Sequence, residues 1–462
     1  MGSRADTNQR AVPQTSSRSA PSRDGNGHRP RGGVENVVLP EDAPYHGWYR
    51  FVLAFPPHLV RDYLRKFELG PSHRVLDPFC GTGTTLVECK RQGIPSVGIE
   101  ANPMACFASQ VKTDWTPDPG ALLAHARGVA EAAFCRLARD GVEDTPLPIN
   151  PHDGAGLLRS LPPDKLALLL KDSISPLPLH KALVLADVLD EQHDQRFSHH
   201  ERLAFAQTLV YGASNLRFGP EVGVGAIKED GAVIAPWLAA VKGIASDLRR
   251  AGPQERAPAV VFRGDSRSAG ALLEPASVDA VITSPPYPNE KDYTRTTRLE
   301  SVLLGFIDSK QELRALKRGL VRSNTRGVYK GDDDDGWVKG FPAIQRVADQ
   351  IEQRRVELGK TSGFERLYAR VTRLYFGGMA RHLAELRPVL RPGARLAYVL
   401  GDQASYLRVM IRTSELLAEV AASLGYRVLG ADLFRTRFAT ATLEQMREDV
   451  LLLEWPGSHD HG

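Results

Sequence analysis

The chain has 462 residues, 42% apolar and 25% charged, an ordinary globular composition. At ~150 residues per domain this is room for about three units, or one large domain with insertions. The formal net charge of +4 lies entirely in residues 1–33, where Arg4, Arg10, Arg18, Arg23, Arg29 and Arg31 face only Asp6 and Asp24. The remaining residues balance, which excludes a uniformly basic nucleic-acid-binding body. Nucleic acid would have to be held by a locally segregated basic surface.

Cys80, Cys89, Cys106 and Cys135 form no CxxC pair, so a disulfide framework is not expected and a reducing, cytoplasmic setting fits. No stretch of ~18 apolar residues predicts a membrane span, and the N-terminus lacks the apolar core of a secretory signal. The adjacent His199 and His200 do not have metal-pair spacing. They read as solvated or capping residues, and no metal site is expected.

In chain order, residues 1–33 carry almost no large apolar side chains and read as a disordered basic tail. Folding is expected from Val34. Tyr45–Phe67 mixes aromatic residues with a Pro pair and a helical run after Pro57. Residues 74–79 read as a buried strand, followed by a Gly turn and a helix ending near Gly93. A second strand (96–100) and a helix (102–112) follow. This is the opening of a doubly wound α/β sheet. From 115 to 258 the apolar spacing turns helical, marking a mostly helical insertion of about one domain's size. Strand rhythm returns at 259–265, 278–284, 394–402, 426–434 and 448–454, making seven strands. The expected organisation is a first half at 34–114, the insertion at 115–258 as the candidate for target recognition, and a second half at 259–462 with a basic insert at 291–363.

Two constellations carry chemistry. Asp77-Pro78-Phe79-Cys80-Gly81-Thr82-Gly83 sits at a strand-to-helix turn. Its glycines let the backbone bend and approach a ligand. No Gly-Lys-Ser/Thr follows, so it is not a P-loop, and the third Gly of the dinucleotide fingerprint is absent. Glu100 ends the second strand, placed to accept from ribose hydroxyls. Asp265, after another strand, can reach an adenine amine or close a local Asx turn. A Gly loop with two acids and no phosphate demand fits S-adenosylmethionine.

The second is Thr283-Ser284-Pro285-Pro286-Tyr287. A Pro pair at a strand end removes two ladder donors and leaves carbonyls facing the cleft where such sheets bind ligands. Methylation of an exocyclic base amine suits this set, because that nitrogen's lone pair is delocalised into the ring. The Ser284 hydroxyl and Pro285 carbonyl, holding its hydrogens, would favour a pyramidal nitrogen. Tyr287 would stack on the extruded base.

On these motifs the sequence resembles the DNA amino-methyltransferases of the N4-cytosine type. DPFCGTG at 77–83 is similar to their cofactor motif and TSPPY at 283–287 to their catalytic motif. The resemblance implies a seven-stranded Rossmann-like S-adenosylmethionine-dependent fold. It implies catalytic roles for Ser284, Pro285, Pro286 and Tyr287, and cofactor contacts from Phe55, Asp77, Phe79, Gly81, Gly83, Glu100, Asp265 and Thr283. It implies double-stranded DNA as partner, with a restriction endonuclease or defence system as a further candidate. Ser in SPPY leans toward cytosine N4. Adenine N6, an RNA base amine and a non-catalytic nucleic-acid-binding subunit remain alternatives. Cytosine-C5 chemistry is disfavoured, since no Cys follows Pro. The long helical insertion departs from the family pattern.

Residues 291–330 contain ten Lys/Arg and four acids. This is the local segregation the balanced body demands, and Lys291, Arg295, Arg298, Arg322 and Arg326 are expected to contact phosphates. The acidic run 332–335 reads as a solvated loop. The segment 214–225 reads as a DNA-facing loop or a structural turn.

Overall fold

The shortest strand of the sheet, β1 (Val75–Asp77), is an interior strand, third from one edge and buried on both faces. Around it run β2 (Ser96–Glu100), β5 (Ala259–Arg263), β6 (Val278–Thr283), β7 (Leu390–Gly401), β8 (Arg427–Ala439) and β9 (Glu444–Trp455), in the order β5-β2-β1-β6-β7-β9-β8. Five pair in parallel, and only β9 runs against its neighbours. The computed structural model describes residues 40–49, 55–145, 158–218, 222–251, 257–289, 291–439 and 444–457. The basic tail lies outside them.

All seven strands occur where the sequence predicts them, and their alternation builds two cores. Leu76, Val281, Leu396, Tyr398, Leu451 and Leu453 face one side, where helices Tyr368–Leu386 and Thr413–Ser423 cover them. Val75, Ala280, Ile282, Ala397, Val399 and Leu452 face the other, packed on helix Pro57–Lys66. The chain leaves β1 toward β2 on one side, while β6 takes the other. Their carboxyl ends therefore form the switch point at which such sheets bind ligands. The architecture is a Rossmann-like methyltransferase fold with a mostly helical insertion.

Between β2 and β5 the helices Pro119–Arg139, Pro176–Glu191, Ser198–Thr208 and Ile234–Arg250 pack around Trp237 and Phe205, together with helix Pro103–Thr113. The segment 214–225 forms a hairpin here, β3 (Leu216–Phe218) against β4 (Val222–Val224); residues 219–221 are outside the described set. Two readings change. His200 is buried, with Nε2 2.9 Å from the Asp114 carbonyl, because the helix turns it inward; His199 remains exposed. The acidic run is no solvated loop. Asp334 is buried and paired with Arg267 and Arg381, and Asp332 is paired with Arg322. Its turn lies flat on Gly377 of helix Tyr368–Leu386, where a Cβ would stand 1.9 Å from the Asp334 carbonyl oxygen. Among the described residues, no helix is long and apolar enough to cross a membrane.

Candidate active site

The Gly loop and the TSPPY segment leave adjacent strands and are tied together at their roots. Asp77 Oδ1 accepts from the Thr283 hydroxyl at 2.6 Å and from the Phe79 N–H at 3.1 Å. Thr85, in helix Thr84–Arg91 behind the loop, donates to the Ile282 carbonyl at 3.1 Å. Asp77 is fully buried, and among the described residues its Oδ2 lacks a partner of good hydrogen-bond geometry, with the Thr85 hydroxyl nearby. Burial lifts its pKa to about 6, against the stabilising bond from Thr283.

Gly81 and Gly83 hold φ of +51° and +86°, which side-chain-bearing residues resist. They serve different ends. A Cβ at Gly81 would meet open space, whereas one at Gly83 would lie 2.5 Å from Ser109 Oγ. Gly81 thus leaves room on the cleft side, and Gly83 lets helix Pro103–Thr113 support the loop from behind. The same helix sends Lys112 to the Thr82 hydroxyl at 3.4 Å, and burial pulls that ammonium down to about 7.

Glu100 faces the loop from the tip of β2. Its Oε2 accepts from the Gly81 N–H at 2.9 Å and its Oε1 from the Asn102 N–H at 2.7 Å. Each oxygen keeps a lone pair. Burial raises the pKa to about 7, against these two bonds. Asn102 caps helix Pro103–Thr113 and donates to Thr297 at 3.0 Å, joining the two halves a second time.

On the other side of β2, Asp265 closes an Asx turn to the Arg267 N–H at 2.9 Å and pairs with the Arg267 guanidinium at 2.7 Å. The local-turn reading therefore holds at this residue, which stays partly exposed. Phe79 is half-buried and meets His382 edge-on at 4.8 Å. His382 lies between the Ser266 carbonyl and the Tyr398 hydroxyl, and burial lowers its pKa to about 4. The carbonyl can only accept, so Nδ1 carries the proton and Nε2 accepts from Tyr398. Phe55 precedes helix Pro57–Lys66, half-buried against the apolar cluster that includes Ile282 and Val399.

Ser284 and Pro286 are half-buried, and Pro285 is buried. Tyr287 donates its hydroxyl to Glu448 Oε1 at 2.9 Å. Its ring lies on Gly401, where a Cβ would fall 2.8 Å from Cε2. Arg435 holds the other Glu448 oxygen at 2.5 Å. Burial drives the Tyr287 pKa well above its usual value, with Glu448 adding and a hydrogen bond with Ser284 opposing. Sequence reasoning missed Glu448, Gly401, Ser109 and His382. Glu448 looks like any acid at a strand start; only strand pairing, which sets it opposite Gly401, brings it to Tyr287.

The expected phosphate contacts divide. Arg298 is buried and donates to the Thr294 and Leu168 carbonyls. Arg322 is buried, paired with Asp332 and bonded to the Lys317 and Leu320 carbonyls. Both guanidiniums hold the chain together: Arg322 spends all five of its donors within the chain and Arg298 three of its five, so neither stands free on the surface as the phosphate expectation requires. Lys291 and Arg295 are half-buried, and Arg326 is exposed, 6.0 Å from the Phe364 ring.

A family model described as DNA methylase matches residues 31–110. The type II methyltransferase M.AvaI of Nostoc sp. is 24% identical over 416 residues, covering 83% of this chain and 80% of that protein. M.BsoBI of Geobacillus stearothermophilus is 24% identical over 413 residues, 83% and 78% of the two chains. These matches support a DNA methyltransferase of the N6/N4 family. The methyltransferase fold and family imply S-adenosylmethionine as methyl donor, and the open face at Gly81 and the half-used Glu100 suit a polar adenosyl ligand. TrmN of Thermus thermophilus superposes at a TM-score of 0.27 with 11% identity, over 86% of this chain and 48% of that one, too loosely to add to the topology.

Proposed function

We propose that this protein methylates an exocyclic amine of a base in double-stranded DNA, cytosine N4 foremost. The carrying observation is the Asp77–Thr283 hydrogen bond, which fixes the Gly loop and the SPPY segment as one unit at the β1/β6 switch point. In this reading Gly81, Gly83, Asp77 and Phe79 cradle S-adenosylmethionine, Glu100 accepts from the ribose, and Asp265 and Phe55 flank the ligand. The bound cofactor supplies an electrophilic methyl on a sulfonium.

The chain's own residues do the rest. The target base leaves the stack and lies on Tyr287. Ser284 Oγ and the Pro285 carbonyl accept the amine hydrogens and turn the nitrogen lone pair toward the methyl. Glu448 and Gly401 keep the Tyr287 ring from swinging away. Rate then comes from positioning and oriented dipoles, with no covalent enzyme intermediate. The type II relatives support a restriction-modification setting, with an endonuclease reading the same site as the proposed partner.

The test is incubation of the full chain with labelled cofactor and either DNA or RNA, followed by nucleoside analysis. Label in N4-methylcytosine from DNA is expected. Label in N6-methyladenine would move the specificity to adenine, and label in RNA alone would overturn the DNA reading.

A further inference from the structure

Of the five residues at 291–330 expected to contact phosphates, two, Arg298 and Arg322, are buried. Besides Arg326 and Lys330, the block's exposed charge gathers on one helix, Lys310–Arg318. At 3.6 residues per turn, Lys310, Arg314, Lys317 and Arg318 fall within an arc of about 100°. Lys310, Arg314 and Arg318 are exposed, and none is paired with a carboxylate among the described residues. Arg318 lies 5.4 Å from the Tyr329 ring, which fixes its direction.

The rest of the helix is committed. Leu313 and Leu316 pack on Leu168, Val302 and Ile307. Glu312, on the far side, accepts from the Asp308 N–H at 2.8 Å while its own N–H bonds the Ser309 hydroxyl at 3.1 Å, so its side chain is spent on closing the start of the helix. Lys317 turns inward to Asp292 at 2.7 Å, largely buried. Asp292 caps the short turn Tyr293–Thr296, and Tyr293 Oη accepts from the Tyr287 N–H at 3.4 Å. The exposed basic face is thereby bolted to the catalytic segment.

Resting on the DNA-methyltransferase reading, we propose that Lys310, Arg314 and Arg318 form the face that grips the duplex backbone beside the extruded base, and that the Lys317–Asp292 pair holds this face in register with Tyr287. The face runs about 12 Å along the helix axis, the span of several backbone phosphates. Its charge is compact while the body as a whole is neutral, so binding concentrates here.

The experiment measures binding of a short fluorescein-labelled duplex across a salt series, using the full chain. The variant K310Q/R314Q/R318Q is compared with K242Q/R249Q/R250Q, which removes equal charge from exposed positions of helix Ile234–Arg250. Each lost phosphate contact lowers the salt slope by about 0.9. The first variant is expected to lose roughly two to three units of slope and at least about tenfold in affinity, with cofactor binding unchanged. The second is expected to keep the wild-type slope. An unchanged slope in the first variant, or an equal fall in both, overturns the proposal. Wild-type protein that labels no DNA overturns instead the reading on which it rests, so the two failures are told apart.

Discussion

The Thr283 hydroxyl sits 2.6 Å from Asp77 Oδ1 across 206 residues of sequence. It joins the last residue of β6 to the last residue of β1, and each of these opens a motif. A cofactor loop and a catalytic loop that moved independently could not hold a methyl and an amine in line, since small misplacements cost large factors in rate. This bond removes that freedom at its root.

Thr283→Val keeps the shape of the side chain and removes the donor. It leaves a buried carboxylate short of a partner, at a cost of about 1–3 kcal/mol. Chemical denaturation should show that loss, and the KM for S-adenosylmethionine should rise while duplex affinity stays put. A wild-type KM and stability would show that the clamp does not matter.

Ser284→Ala removes one acceptor of the amine hydrogens together with its bond to Tyr287, whose ring stays held by Gly401 and Glu448. By analogy with loss of one oriented polar group, kcat should fall about 10²–10³-fold, with cofactor and DNA affinities near wild type. Single-turnover methylation at wild-type speed would remove Ser284 from the chemistry.

Tyr287→Phe and Tyr287→Ala separate two roles. The first keeps the ring on Gly401 and removes the hydroxyl that bonds Glu448 and Ser284; roughly ten- to a hundredfold in kcat is expected, the scale of one or two hydrogen bonds. The second removes the stacking surface and should cost far more. Equal effects from the two would mean that the hydroxyl, and not the ring, is what the reaction uses.

Burial raises the Glu100 pKa to about 7 from a usual 4.5. The folded state thus holds this proton more tightly than the unfolded chain. The resulting contribution to stability is full below about 4.5 and is lost as pH rises through about 7. Ribose binding runs the other way, because the ionised carboxylate is the better acceptor. S-adenosylmethionine affinity should therefore increase as pH climbs through about 7, read by calorimetry. Glu100→Gln should flatten that part of the profile; an unaltered profile would place the titration elsewhere, for instance at Lys112.

Gly377→Ala puts a methyl 1.9 Å from a backbone oxygen of the acidic turn. Neither backbone can yield without repacking helix Tyr368–Leu386 and the Arg267–Asp334 pair. A loss of about 3 kcal/mol is expected, seen as a lower midpoint in urea. Wild-type stability would mean that the turn is free to lift.

Much of this was legible in the sequence. The alternation of Leu396, Ala397, Tyr398 and Val399 predicts a strand buried on both faces, and DPFCGTG announces its own turn. These signals are local, and local periodicity survives in one dimension. The charges behaved differently. Arg298 and Arg322 look in sequence no different from Arg314 and Arg318, yet the first two are spent on carbonyls and Asp332 while the others face outward.

By itself, then, the sequence determined the strands, the Gly loop and the SPPY segment, because each is specified by residues within a few positions of one another. Only the tertiary structure decided which groups complete the site. Glu448 reaches Tyr287 through strand pairing, Ser109 supports Gly83 through helix packing, and His382 positions Phe79 from a helix about 300 residues away. Desolvation decided the charges. A cation buried among its own chain's acceptors is not presented to a phosphate, and no count of arginines reveals which ones those are.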